Sequence, residues 1–139
     1  MPKAPLIGIV DDDREIPAVL SSLLRSMGYE AEIFSSACQL LERANLAEFS
    51  CIISDIHMPA MNGLELALKL TTLEPGLPVI LMTGRVEPGL KEKAYASGAL
   101  NFLVKPFDFG VLSESLRKVL ASPRRSRAGG GNQPSCNRS

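Results

Sequence analysis

Asp11, Asp12 and Asp13 directly follow the apolar run 6–10, Asp55 follows the run 51–54, Thr83 follows 78–82, and Lys105 follows 101–104. If these runs lie side by side, carboxylates, a hydroxyl and an ammonium gather at one edge. Three carboxylates, Asp11, Asp12 and Asp55, held within a few ångströms repel one another by roughly 4 kcal/mol per close pair at an intermediate effective dielectric. Such a cluster calls for a cation. Hard oxygen donors suit Mg²⁺, which keeps several waters and bridges carboxylate and phosphate oxygens. Each residue alone signals little. An acid behind a strand can simply cap the next helix, as Asp13 is expected to do, and a lone Lys105 or Thr83 is an ordinary surface or strand-end residue. Their occurrence together, behind four separate runs, points to a site.

The elements that must position them are legible in the apolar pattern. The runs 6–10, 51–54 and 78–82 read as strands covered on both faces, with shorter strands at 31–34 and 101–104. Ile16, Val19, Leu20, Leu23, Leu24 and Met27 fall on one face of a helix that Gly28 can end. Ser36 and Gln39 offer a capping box for a second helix, and 64–73 reads as a third, stopped by Pro75 and Gly76. A weaker fourth helix spans 88–97 with Leu90 and Ala94 inward. Asp108 caps a fifth, in which Val111, Leu112, Leu116, Val119 and Leu120 recur on one face. Pro17 falls in the first turn of the first helix, where a missing N–H costs little. This strict alternation predicts an α/β fold, a single doubly wound parallel sheet of five strands with five helices. Ligands of such sheets bind beyond the carboxyl ends of the strands.

The 139 residues suit one domain with a core of its own. We expect that domain over 1–121 and a flexible tail or linker stub over 122–139, which is rich in Gly, Ser, Pro and Asn. Net charge is zero, but the tail holds Arg124, Arg125, Arg127 and Arg138 and no acid, leaving 11 basic against 15 acidic residues in the body. An acidic body is not composed for nucleic-acid binding. The absence of a long apolar run and of a signal-peptide pattern predicts a cytoplasmic chain that does not enter membranes. Cys38, Cys51 and Cys136 are widely spaced and suggest neither a disulfide framework nor a zinc site.

The segments IVDDD, IISDIHMPAMNG, VILMTG and NFLVKPF, in this order and at these separations, resemble the receiver domains of two-component response regulators across nearly all of 1–121. Within that family the stretch LSSLLRSMGYEAEIFSSA looks most like receivers of the one-receiver, one-DNA-binding-domain (LuxR-type) transcriptional regulators. The resemblance implies a flavodoxin-like strand order, 2-1-3-4-5. It also implies a chemistry. Asp55 is the phosphoacceptor, taking a phosphoryl group from a sensor histidine kinase or phosphotransfer protein with Mg²⁺ as cofactor. Asp12 and Asp55 bind the metal directly, Asp11 acts mainly through water, and the His57 backbone carbonyl adds a ligand. Lys105 and Thr83 assist the transferred group. Thr83 and Phe102 form the switch that alters the surface of the fourth helix, fifth strand and fifth helix. The side chains of His57 and Arg85 flank the site and are candidates for tuning dephosphorylation. The family's usual cis bond would fall between Lys105 and Pro106.

The implied role is a signalling switch rather than an enzyme, with self-phosphotransfer and autodephosphorylation as its only chemistry. Its partners are the kinase, a downstream protein or missing output domain, and a second copy after phosphorylation. The chain is alternatively the receiver half of a longer DNA-binding regulator. A small-phosphoester hydrolase built on Asp55 is the competitor from another class, disfavoured because 121 residues leave little room for a substrate lid. An inactive scaffold is disfavoured by the complete set of acids, Thr83 and Lys105.

Overall fold

The structure is a computed structural model and describes residues 4–43, 45–105 and 108–121. The strands are β1 (Leu6–Val10), β2 (Glu30–Phe34), β3 (Phe49–Asp55), β4 (Val79–Thr83) and β5 (Asn101–Val104). The helices are α1 (Glu15–Ser26), α2 (Ala37–Glu42), α3 (Gly63–Leu73), α4 (Leu90–Ala96) and α5 (Phe109–Ala121). A single turn of 3₁₀ helix, Leu46–Glu48, which the apolar pattern does not announce, leads into β3. All strand pairs are parallel and the order is β2-β1-β3-β4-β5, as expected. The tail over 122–139 and the Lys105–Pro106 bond lie outside the described residues.

Alternation along the central strands divides the core between two faces. Ile7 and Ile9 of β1, Cys51 and Ile53 of β3 and Ile80 and Met82 of β4 meet α1 and α5. Ile52 of β3 and Val79 and Leu81 of β4 meet α2, α3 and α4. The line that α1 turns to the sheet is Pro17, Leu20, Ser21 and Leu24. Val19, expected on the inward face, lies one residue or about 100° from Leu20 and is 60% exposed. Val111 of α5 departs for the same reason, because the inward line there is Leu112, Ser115, Leu116 and Val119.

Side chains set the helix starts other than that of α4. Asp13 Oδ1 accepts the N–H groups of Glu15 (2.7 Å) and Ile16 (3.4 Å), and Pro17 has no N–H to satisfy, so the first turn of α1 leaves few orphan donors. Ser36 Oγ accepts from Gln39 N, but the Gln39 side chain reaches Ser35 N instead of Ser36 N, so the expected box is displaced by one residue. A full capping box, which the apolar pattern passes over, joins Asn62 and Glu65 at the start of α3. The fourth helix is shorter than the predicted 88–97, because Gly89 adopts a left-handed φ of 79° before Leu90.

The turn from β3 into α3 is the tightest place near the site. Gly63 N donates to Ile56 O at 2.9 Å, and a Cβ on Gly63 would collide with the Asp55 carbonyl oxygen and sit 2.9 Å from Ile56 Cα. Three residues earlier Ala60 holds a φ of 65°, a region that disfavours a side chain by roughly 1–2 kcal/mol. Gly63→Ala is therefore expected to lower unfolding free energy by about 1–3 kcal/mol, since backbone and not a flexible side chain must give way. Ala60→Gly should raise it or leave it unchanged, relief of strain offsetting the added unfolded-state entropy of about 0.4–1 kcal/mol. Urea unfolding of both variants checks the pair, and a Gly63→Ala protein as stable as the parent would refute the close approach.

Candidate functional site

Strand register brings the reactive residues together. Val10 of β1 pairs with Ser54 of β3, so Asp11 emerges beside Asp55. Thr83 of β4 pairs with Val104 of β5, and Lys105 N donates to Thr83 O at 2.7 Å, which sets the lysine next to the hydroxyl-bearing strand end. Asp11 is oriented from both sides. Its Oδ1 accepts from Asp13 N at 3.0 Å, and its Oδ2 faces Lys105 Nζ at 3.3 Å. Lys105 Nζ also reaches Asp55 Oδ1 at 3.0 Å, closing an ion-pair triangle over the end of the sheet.

One carboxylate oxygen from each of Asp11, Asp12 and Asp55 lies within 4.8 Å of the others. Ligands on one octahedron of about 2.1 Å radius stand roughly 3 to 4 Å apart, so a slight contraction lets these oxygens share a hard cation. Asp11 and Asp55 are buried while Asp12 is exposed, leaving one side of the cluster open to water. The donor set is all oxygen, which fits Mg²⁺.

The charges shift one another. Burial pushes the Asp55 carboxyl above the ordinary carboxylate value, the Lys105 ammonium holds it partly down, and Asp11 and Asp12 push it further up. For Lys105 burial acts to lower the pKa, but its bond and attraction to Asp55, followed by attraction to Asp11, outweigh burial and leave the ammonium above its usual value. Lys105 is therefore a fixed positive charge at neutral pH. Its compensation of the nearby acids is incomplete.

The remaining expected residues are near but differently engaged. Thr83 is fully buried, and its hydroxyl bonds to the backbone of Arg85. Arg85 is exposed and meets Thr83 only through its main chain in these bonds. The His57 ring is half-buried, and its Nε2 is enclosed without a hydrogen-bond partner among the described residues. Phe102 is half-buried against the cluster shared by α2, α3 and α4. The residue that the pattern of reactive side chains missed is Gly63, since it carries no functional group. The Asn62-Gly63 pair and the Asn62…Glu65 spacing were its available signals.

The family model described as the response regulator receiver domain matches residues 7–117. Among curated relatives, the response regulator protein TodT of Pseudomonas putida F1 is 38% identical over 128 residues, covering 91% of this chain and 56% of TodT. The transcriptional regulatory protein ZraR of Klebsiella oxytoca is 35% identical over 120 residues, covering 86% of this chain and 27% of ZraR. The chain thus spans about half the length of one relative and about a quarter of the other. The likeness to the LuxR-type group in particular is not singled out by these relatives. Among solved structures, chemotaxis protein CheY4 of Vibrio cholerae matches with a TM-score of 0.77 at 33% identity, covering 84% of this chain and 99% of CheY4. A CheY-like receiver domain protein of Methanospirillum hungatei matches with a TM-score of 0.80 at 30% identity, covering 92% of this chain and all of that one.

The raised pKa of Asp55 means that the native state holds a proton there more tightly than the unfolded chain does. That contribution to stability is complete below the ordinary carboxylate value of 3.8 and is lost as pH rises through the higher native value. At pH 7 without divalent metal, Asp55→Asn is therefore expected to raise the melting temperature, because the site no longer carries the buried carboxylate charge. The advantage should disappear near pH 3. Thermal melts at the two pH values test this, and a variant that melts no higher at pH 7 would mean that Lys105 compensates the carboxylate in full.

Proposed function

Because this chain belongs to the response regulator receiver domain family, we propose that it is a phosphorylation-activated signalling switch with Asp55 as its phosphoacceptor. The observation that carries the assignment is the placement of Asp55 between two other acids and the Lys105 ammonium, 3.0 Å from its Oδ1. An Asp55 carboxylate oxygen attacks the phosphorus of a phosphohistidine on a sensor kinase or phosphotransfer protein. The P–O bond forms as the P–N bond breaks, giving an acyl phosphate and free histidine. Negative charge spreads over the equatorial phosphoryl oxygens during transfer, and Lys105 is positioned to stay with it as a point charge. Asp12 and Asp55 would hold Mg²⁺ directly, Asp11 through water, with the His57 backbone carbonyl as a further ligand. When bound, Mg²⁺ neutralises charge on the acids and on the phosphoryl oxygens.

The output of this reading is a changed surface. Thr83 turns toward the phosphoryl group, Phe102 follows into the vacated space, and the α4-β5-α5 face is remodelled as a population shift between two packings. Two features support that location. Helix α4 has only seven residues and buries only Leu90 and Ala94, so it is the more easily displaced neighbour. The same face exposes Tyr95, Leu100, Val104, Phe109 and Val111, apolar area suited to a protein partner or a second copy. His57 and Arg85 border the site and are the side chains through which hydrolysis of the acyl phosphate would be tuned. We assign no multiple-turnover enzymatic activity, since the only chemistry proposed is self-phosphotransfer followed by slow loss of the phosphoryl group to water.

Among the described residues no helix is long and apolar enough to cross a membrane. The cytoplasm, where Cys38 and Cys51 would stay reduced, is the proposed compartment. A second reading, the receiver part of a longer transcriptional regulator, is favoured by the greater lengths of TodT and ZraR. In it the contact with DNA belongs to the output domain, not to the acidic receiver body.

Intact mass after incubation with acetyl phosphate should show a single phosphoryl adduct in the presence of Mg²⁺, little without it, and none in Asp55→Asn. Adduct of equal yield in Asp55→Asn would move the acceptor elsewhere. Under the same conditions light scattering should shift toward dimer, and complete modification with unchanged scattering would exclude self-association as the output. Thr83→Ala should take up the phosphoryl group yet lose most of that shift.

A further inference from the structure

The switch hydroxyl is already committed in this structure. Thr83 Oγ1 donates to the Arg85 carbonyl oxygen at 2.8 Å and accepts the Arg85 N–H at 3.0 Å, closing a small ring two residues long. A hydroxyl carries one proton and donates it once. While the Arg85 carbonyl holds that proton, no phosphoryl oxygen can receive it. Resting on the assignment of Asp55 and Thr83 above, we infer that the Arg85 backbone is a latch, an internal competitor for the Thr83 proton that keeps the switch off until a phosphoryl oxygen displaces it.

The surroundings suit a device that opens by rotation of one side chain. The Thr83 main chain is pinned, since its carbonyl accepts Lys105 N at 2.7 Å and its strand pairs with β5 at Val104. Gly84 between the two partners stands in open space, with nothing within 4 Å of where its Cβ would be. Gly84 and Arg85 are both exposed, so neither belongs to the packed core. Arg85 is exposed, so its released N–H and carbonyl can be taken up by water instead of being stranded. A neutral carbonyl is the weaker acceptor. Hydrogen bonds to an anionic oxygen are roughly twice as strong as neutral ones, so an acyl phosphate on Asp55 outcompetes Arg85 where the bare carboxylate, already bonded to Lys105, leaves the latch shut. The latch uses only main-chain atoms of Arg85. Turning the hydroxyl away breaks both bonds, so loss of the N–H at residue 85 should by itself weaken the latch although the carbonyl remains.

Arg85→Pro removes the N–H and keeps the carbonyl, whereas Arg85→Ala keeps both. The test is a titration with beryllofluoride in excess Mg²⁺, read from backbone amide NMR signals of α4 and β5. Arg85→Ala, which lacks the same side chain and keeps both main-chain groups, sets the reference midpoint. Arg85→Pro should reach half-saturation at a concentration about five-fold below that of Arg85→Ala, the equivalent of roughly 1 kcal/mol for one hydrogen bond that no longer has to be broken. A midpoint in Arg85→Pro equal to that of Arg85→Ala, with an otherwise native spectrum, would overturn the latch. In the wild type, which needs no substitution, the Arg85 amide should exchange slowly with solvent at rest and much faster at saturating beryllofluoride. Equal protection in both states would overturn the latch as well. A different result marks failure of the underlying assignment, namely no spectral change in any of the three proteins, and the latch would fall with it.

Discussion

Like charge crowded at the end of a parallel sheet is the constraint around which this molecule is arranged. Asp11, Asp12 and Asp55 place oxygens within 4.8 Å of one another, and two of these acids are buried. Lys105 offsets that repulsion from 15% side-chain exposure, through contacts to both buried acids. Burial nevertheless leaves the Asp55 carboxyl above its ordinary pKa. A cluster under such strain persists because its supports are stiff. β3 lies between β1 and β4 with neighbours on both sides, and the turn behind Asp55 is closed by Gly63 against Ile56 and by the Asn62–Glu65 box. A cation held among these oxygens would relieve the repulsion that the single ammonium leaves uncompensated.

The two faces of the sheet are unequally held. On one side α1 and α5, with 12 and 13 residues, carry continuous buried lines against Ile7, Ile9, Ile53, Ile80 and Met82. On the other, α4 is short and is joined to its surroundings in part by polar contacts. Asn101 at the start of β5 donates to Ser115 of α5 at 2.7 Å and accepts from Phe102 N at 2.8 Å, while the Tyr95 hydroxyl of α4 lies 3.5 Å from its side-chain oxygen. A packed apolar line resists displacement over its whole length, whereas a few hydrogen bonds can be exchanged for water. Far from the carboxylates, Arg43 binds Glu32 at 2.8 Å and Glu48 at 2.7 Å and lies 4.7 Å above the Phe49 ring, tying the exposed edge strand β2 to the entry of β3. That edge is therefore fastened by two ion pairs and a cation–π contact.

Much of this was legible in the order of residues. Five short apolar runs alternating with helical periodicity allow few packings, because parallel neighbours require a crossover of one hand. The acids, Thr83 and Lys105 were identifiable because each directly follows a run. The faces of α1 and α5 are less legible. Val19 and Val111 are apolar and correctly spaced relative to some neighbours, yet the sheet accepts an arc turned by one residue. The start of α4 is not legible in the sequence, because Pro88 is permitted at the first turn of a helix, while the left-handed Gly89 that precedes the helix has no distinctive side chain.

What the sequence by itself determined is the chemical inventory and the strand end at which each member stands, because a side chain's place relative to its own strand follows from local periodicity. Distances between members depend on register among strands. Lys105 and Asp11 are 94 positions apart in the chain and meet at 3.3 Å only because β1, β3, β4 and β5 align in one particular way. Tertiary structure alone also decided that a Cβ at position 63 has no room, that Asp55 is buried enough to hold its proton more tightly, and that the Thr83 hydroxyl gives its proton to Arg85. Each of these depends on separations of a few tenths of an ångström and on the exclusion of water, which the order of residues does not carry and the packed interior imposes.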